Sequence, residues 1–293
     1  MSRRMFVQVA GMMAAAAVAV PDAAPQAPAL DEVLRRGATY VSEYAGKLSG
    51  TTLEELMLLS ENSGNRLIPP RRIASDLLLL RINQEGRIFG LRDPYAIDTK
   101  PLRERRPRIA NALAEPTTDS WQVAQNHARE HAVYLGHNVV LWFSDPSLAL
   151  QFISMPHQSR VTYKIEGNKR MNDTPVVGVG FKEKEEAGRQ YLLNTPGNPI
   201  ASGRLWIDPA TGAIHQTELW VQSKTDTARL LVSYAPDKTL GLLLPKEASG
   251  TFEWREEASG GNIGPGGRRI TFEANTKYSN PRHRPIDLSR IAK

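Results

Sequence analysis

Residues 202–219 read SGRLWIDPATGAIHQTEL, and a strand, a tight turn and a second strand fit them. Leu205 and Ile207 share one face of the first strand, and Leu219 and Val221 share one face of the second, at the period of two that a pleated strand imposes. Between them lies Asp208-Pro209-Ala210-Thr211-Gly212, in which proline presets the first φ, aspartate can bond the backbone ahead and glycine takes a positive φ. An antiparallel hairpin is therefore expected here, and the segments on both sides follow its pattern.

Toward the C-terminus, strands are predicted at 213–221, 228–234, 241–244, 250–254 and 270–278. The stretch 259–267, SGGNIGPGG, reads as a glycine-rich hairpin loop; it has no Gly-Lys-Ser/Thr and no following helix, so nothing in it suits a nucleotide phosphate. Toward the N-terminus, strands are predicted at 203–208, 190–193, 176–181, 160–165, 87–92, 73–82 and 53–59. The run Leu77-Leu78-Leu79-Leu80 is apolar at consecutive positions, so both faces of that strand should be covered. Gln84-Glu85-Gly86 is a turn of hairpin length.

Helices are expected at three places. Leu30, Val33, Leu34, Ala38, Val41 and Leu48 recur at helical spacing before Ser49-Gly50. Trp121, Ala124, Ala128, Ala132 and Leu135 form a stripe over 118–135. Ser144-Asp145-Pro146 resembles a capped helix start running to Ile153, closed by Met155-Pro156. The predicted fold is α+β and mainly antiparallel: a sheet of about ten strands, curled into a half-barrel, with about three helices on its concave face. A single domain is expected over 30–285, after a Pro/Ala linker at 20–29 and before a tail at 286–293.

Residues 1–19 read as an export signal. Arg3 and Arg4 precede an Ala-rich apolar run, and Ala17-Val18-Ala19 supplies the small residues for cleavage after Ala19. Twelve apolar residues rise only about 18 Å as a helix, short of the roughly 30 Å hydrocarbon core, so no stable membrane span is expected. Ser2 to Gln8 is similar to a twin-arginine motif with Val7 and Gln8 departing from its ending, which leaves the export route open. The expected destination is the periplasm or the exterior.

The chain of 293 residues holds no cysteine. Disulfide scaffolds, thiolate metal sites and thiol nucleophiles are thereby excluded, and so is a lipid-modified cysteine. The net charge is +6, of which the leader carries Arg3 and Arg4. The basic residues gather at 71–72, 103–108, 268–269 and 282–284, without the aromatic interleaving or recognition helix of nucleic-acid binders; they read as solvated surface, and no nucleic-acid partner is expected.

His127-Ala128-Arg129-Glu130-His131 spells H-x-x-E-H, the motif of inverted zinc peptidases, on a predicted helix. His127 and His131 could hold zinc, with Glu130 acting on bound water. The competing reading places them on a wet helix flank, since the apolar stripe centres on Ala128 and Ala132. No cofactor is otherwise expected.

The segments 30–50, 75–98 and above all 202–219 are similar to a family of uncharacterised exported bacterial proteins. The last of these also resembles the strand-turn-strand of the LolA/LolB-type lipoprotein-carrier superfamily. That resemblance implies a curled antiparallel sheet holding helices and an acyl chain. Three functions are carried forward. The first is a non-catalytic binding or carrier protein whose apolar cavity takes a lipid or acyl chain against Leu77, Leu79, Phe89, Leu205, Ile207, Leu219 and Leu231. The second is an envelope module with a filled core that binds a protein partner. The third is a zinc-dependent hydrolase built on His127 and His131.

Overall fold

The computed structural model describes residues 29–63, 66–82, 87–130, 132–136, 140, 143–185, 199–224, 226–256, 268–288 and 291. The expected turn at 84–86, strand at 190–193, glycine loop at 259–267 and leader at 1–19 lie outside them.

Among the described residues, eleven antiparallel strands form one sheet. In chain order they are β1 (Thr51–Ser63), β2 (Arg66–Ile82), β3 (Arg87–Ile97), β4 (Lys100–Pro101), β5 (Val161–Met171), β6 (Thr174–Glu183), β7 (Ile200–Ile207), β8 (Ile214–Gln222), β9 (Asp226–Asp237), β10 (Leu242–Glu256) and β11 (Arg268–His283). Their order across the sheet is β4-β3-β2-β1-β11-β10-β9-β8-β7-β6-β5. The first four strands build one wing outward from β1. The chain then leaves the sheet, rejoins it at the far edge as β5, and winds back until β11 pairs with β1.

The opening hairpin forms as its residues require. Ala210 N–H and Thr211 Oγ1 bond the Asp208 carboxylate at 2.8 and 2.6 Å, and Gly212 stands at φ +80°. A Cβ at Gly212 would lie 2.3 Å from the Arg36 carbonyl oxygen, so glycine also lets the turn meet the first helix. The segments expected as strands at 241–244 and 250–254 are one strand, β10. Its register shifts between Pro245 and Glu247, where proline has no N–H to give the ladder.

Helix α1 (Leu30–Leu48) buries Val33, Leu34, Val41, Ala45 and Leu48 on one side and ends at Gly50, φ +91°. Helices α2 (Arg108–Ala112) and α3 (Thr118–Glu130) follow β4, and three short 3-10 segments occupy Ala132–Leu135, Leu148–Ile153 and Met155–Arg160. The start expected at Asp145-Pro146 is a turn. The Asp145 carboxylate accepts from Gly90 N and, within that turn, from Ser147 N and Ser147 Oγ, and the 3-10 segment begins only at Leu148.

The helical elements divide between the two faces of the sheet. Leu148–Ile153 touches α1, β3 and β8 together. Strands β3 and β8 stand six places apart, roughly 29 Å in a flat sheet, so the sheet curls around this segment without closing. On the opposite, outer face, α2 and α3 cover Leu78, Leu80 and Leu91 with Ile109, Leu113 and Ala124. Leu77 and Leu79 point to the inner core, so the leucine run is covered on both sides as its composition requires. The stripe expected on one helix is split: Trp121, Ala124 and Ala128 belong to the outer cluster, and Leu135 to the inner core. Ile286 and Leu288, expected in a tail, are buried in the outer cluster.

Candidate functional site

The inner face is apolar over most of its area. Leu77, Leu79, Leu205, Ile207 and Leu219 all lie on it, each at most 1% exposed. Phe89 and Leu231 do not. Their neighbours Ile88, Leu230 and Val232 take the inward positions, so the two-residue period turns Phe89 toward the outer cluster and Leu231 to the outer surface. There Leu231 joins Leu56 and Leu58, both 43% exposed, in an open depression of about 430 Å³ rimmed by Arg72, Glu247 and Lys277.

Facing the inner surface are α1 and the 3-10 segments. A Cβ at Gly37 would lie 2.5 Å from Ile153 Cδ1, so glycine permits the close approach of helix and 3-10 segment. Phe152 stacks on Phe181 with centroids 4.8 Å apart, and Tyr163 Oη donates to the Phe152 carbonyl.

Buried polar side chains interrupt this surface, among them Thr217, Thr276 and Glu183, and one of them is an ion pair. The inward positions of β1 are Leu53, Glu55, Met57 and Leu59, and Glu55 is fully buried among them. Arg92 on β3 pairs with it two-pronged: Nε donates to Oε2, and Nη2 donates to Oε1 at 2.8 Å. Arg92 Nη1 also donates to Ser144 Oγ at 3.2 Å. Burial disfavours the guanidinium charge, but the Glu55 carboxylate more than offsets it and holds Arg92 above its ordinary pKa.

Strand register sets Ser75 on β2 and Tyr278 on β11 directly opposite Glu55, one on each side. Cross-strand neighbours of this kind have Cβ atoms about 5 Å apart. Ser75 Oγ and Tyr278 Oη are buried, and neither has a hydrogen-bond partner; the same holds for Tyr44 Oη on α1. Burial first, and then the Glu55 charge, push the Tyr278 hydroxyl well above its ordinary pKa, and burial does the same to Tyr44. Both stay protonated donors. Tyr234 Oη, by contrast, donates to the Pro146 carbonyl at 2.6 Å.

None of this row was anticipated. A signal was available: Glu55 falls in phase with Leu53, Met57 and Leu59, on the side that should be apolar.

The arginines at 103–108, expected as solvated surface, are largely engaged with acids of the outer face. Asp93 takes Arg103 at 2.6 Å and Arg108 at 2.8 Å, and Glu54 takes Arg105, which also lies 3.8 Å from Asp76. Two of this group also reach exposed partners, Arg106 to Glu104 and Arg108 to Glu130. These pairs fasten the segment after β4 to the sheet.

His127 is partly exposed on α3, with Nδ1 3.8 Å from Glu130 Oε2. The Glu130 carboxylate is held by Arg108 at 2.8 Å. His131 lies outside the described residues. Among the described residues, no group of three or more His, Asp or Glu side chains is arranged to hold a metal, and no helix is long and apolar enough to cross a membrane.

The chain matches no family model and no curated protein. Several solved structures are distantly similar. An outer membrane lipoprotein-sorting protein domain from Vibrio parahaemolyticus is 9% identical, with 86% of this chain and 93% of that chain covered and a TM-score of 0.35. A DUF1329 family protein from Desulfovibrio piger is 9% identical, with coverages of 85% and 92% and a TM-score of 0.34. A LolA superfamily protein from Nitrosomonas europaea is 12% identical, with coverages of 87% and 97% and a TM-score of 0.30.

Proposed function

We propose that this chain is an exported, non-catalytic binding protein that carries a lipid or acyl chain on the concave face of its sheet. The observation that carries the reading is what fills that face beside α1. Leu150, Phe152 and Ile153 belong to a 3-10 segment of six residues, held by such bonds as Leu150 N to Ser147 O at 3.0 Å. Short 3-10 runs have poor hydrogen-bond geometry and little cooperativity, so an acyl chain can take the place of their side chains at small backbone cost. Leu77, Leu79, Leu205, Ile207 and Leu219 would then meet the ligand. Residues 1–19 serve as the leader, removed after Ala19 to leave a periplasmic or secreted domain that starts at residue 30, takes in Ile286 and Leu288, and needs no cofactor.

Native mass spectrometry of tag-free protein taken from the periplasm tests this. The expected result is a stoichiometric companion mass that extracts into organic solvent, with the intact mass reporting cleavage after Ala19. Protein that is repeatedly ligand-free, and that takes up no fluorescent fatty-acid probe while folded, overturns it.

A second reading rests on the exposed Leu56 and Leu58. They suit a protein contact of an envelope module with a filled interior. Under that reading Leu56→Ser and Leu58→Ser abolish partner capture and leave lipid content unchanged.

A further inference from the structure

The inner face carries one group of buried polar atoms that the acyl-chain reading does not use. Ser75, Glu55 and Tyr278 form a row across three adjacent strands, β2, β1 and β11, with all three side chains on the concave side. Both Glu55 carboxylate oxygens accept from Arg92, and neither flanking hydroxyl is hydrogen-bonded to them. Two buried hydroxyls on either side of a sealed ion pair are thus left as donors with no acceptor. Leaving such groups unpaired is unfavourable by about 1–3 kcal/mol each, so a natural protein rarely keeps a cluster of them without use.

We infer that Ser75 and Tyr278, with the Glu55–Arg92 pair between and beside them, form a subsite for the uncharged carbonyl end of the lipid, an ester or amide. The inference rests on the carrier reading and narrows its ligand class. Charge decides between an ester and a free acid. The carboxyl groups of Glu55 and Asp145 stand against the one guanidinium of Arg92 here, and both act on Arg92 and Tyr278. An added carboxylate would bring a further negative charge into a water-poor site that already carries an excess of one. A carbonyl group brings no charge and offers an acceptor to a buried hydroxyl that lacks one. Tyr44 Oη, on α1, is a third buried donor facing no protein acceptor, and it belongs to the same interior.

The test compares 1-monooleoylglycerol with oleate, two ligands with one acyl chain and different ends, by titration calorimetry at pH 8. The parent protein is expected to bind the glyceride at least tenfold more tightly. Tyr278→Phe and Ser75→Ala each remove a hydroxyl that no protein group uses, so the urea midpoint should hold while affinity for the glyceride drops about three- to tenfold and affinity for oleate stays. Two such variants guard against one failing to fold. Equal affinity for the two lipids, or variants that leave the ratio unchanged, overturns the subsite and leaves the carrier reading standing. If neither lipid binds to folded protein, the carrier reading falls and the subsite with it.

Discussion

Strands β2 and β3 on one wing, and β9 and β11 on the other, treat alternate residues differently. In β2 the inward Leu77 and Leu79 and the outward Leu78 and Leu80 are all buried, because α1 lies on one side and α2 and α3 on the other. In β9 the inward Leu230, Val232 and Tyr234 are buried, while Arg229, Leu231 and Ser233 face outward. In β11 the outward positions are Glu273, Asn275 and Lys277. The same backbone geometry therefore yields a continuous apolar run where two layers cover the strand and a strict alternation where one does. The number of layers over a strand can be read from its own composition; what composition leaves open is which element supplies the second layer.

The largest expected effect concerns the inner face. Glu55→Ala strands a buried guanidinium and should cost about 3–5 kcal/mol in urea unfolding. Pairing it with Arg92→Met should recover most of that loss, since it removes the stranded charge. A cost below about 1 kcal/mol for the single change would mean that water reaches the pair.

Next in size is the direct comparison of the wings. Leu79→Ala and Leu80→Ala should each cost about 2–5 kcal/mol, one from each face of β2, whereas Leu231→Ala should stay within about 1 kcal/mol. A Leu80 value as small as that of Leu231 would remove α2 and α3 from the outer face.

The smallest effect is a pH dependence near the Asp208 turn. Burial holds the His215 imidazole below its ordinary pKa, with the Asp208 charge opposing. The unfolded chain then binds more protons in this range, so stability is complete above about pH 6.5 and falls as the pH drops below it. The urea midpoint should decline between pH 8 and pH 5.5 by more in the parent than in His215→Gln. Equal declines would show that His215 is as solvated folded as unfolded.

Much of this architecture is legible in the chain. The Asp208–Gly212 turn, the first helix and the doubly covered leucine run follow from local chemistry that tertiary contacts leave alone. The direction of individual side chains was harder wherever two apolar residues are adjacent. Ile88-Phe89 and Leu230-Leu231 satisfy a period of two in either phase, and the phase is settled by the paired strand. The polar row was hidden for a related reason: Ser75, Glu55 and Tyr278 become neighbours only through register, across 20 and 223 positions of sequence. The arginines after β4 looked solvated because their acids sit on strands, Glu54 on β1, Asp76 on β2 and Asp93 on β3, the last of these being ten residues from Arg103 and fifteen from Arg108.

The pairing of β1 with β11 has a consequence in time. Thr51 and His283, bonded at 2.9 Å, are 232 residues apart, so the middle of the sheet is the last part that can be joined. Until β11 is present, β1 offers an open edge to any strand it meets, and closing so long a stretch is slow because its entropy must be lost before the contacts repay it. An emerging chain would thus spend its most aggregation-prone interval with two half-sheets already formed and unjoined, the state in which a holding chaperone would find it.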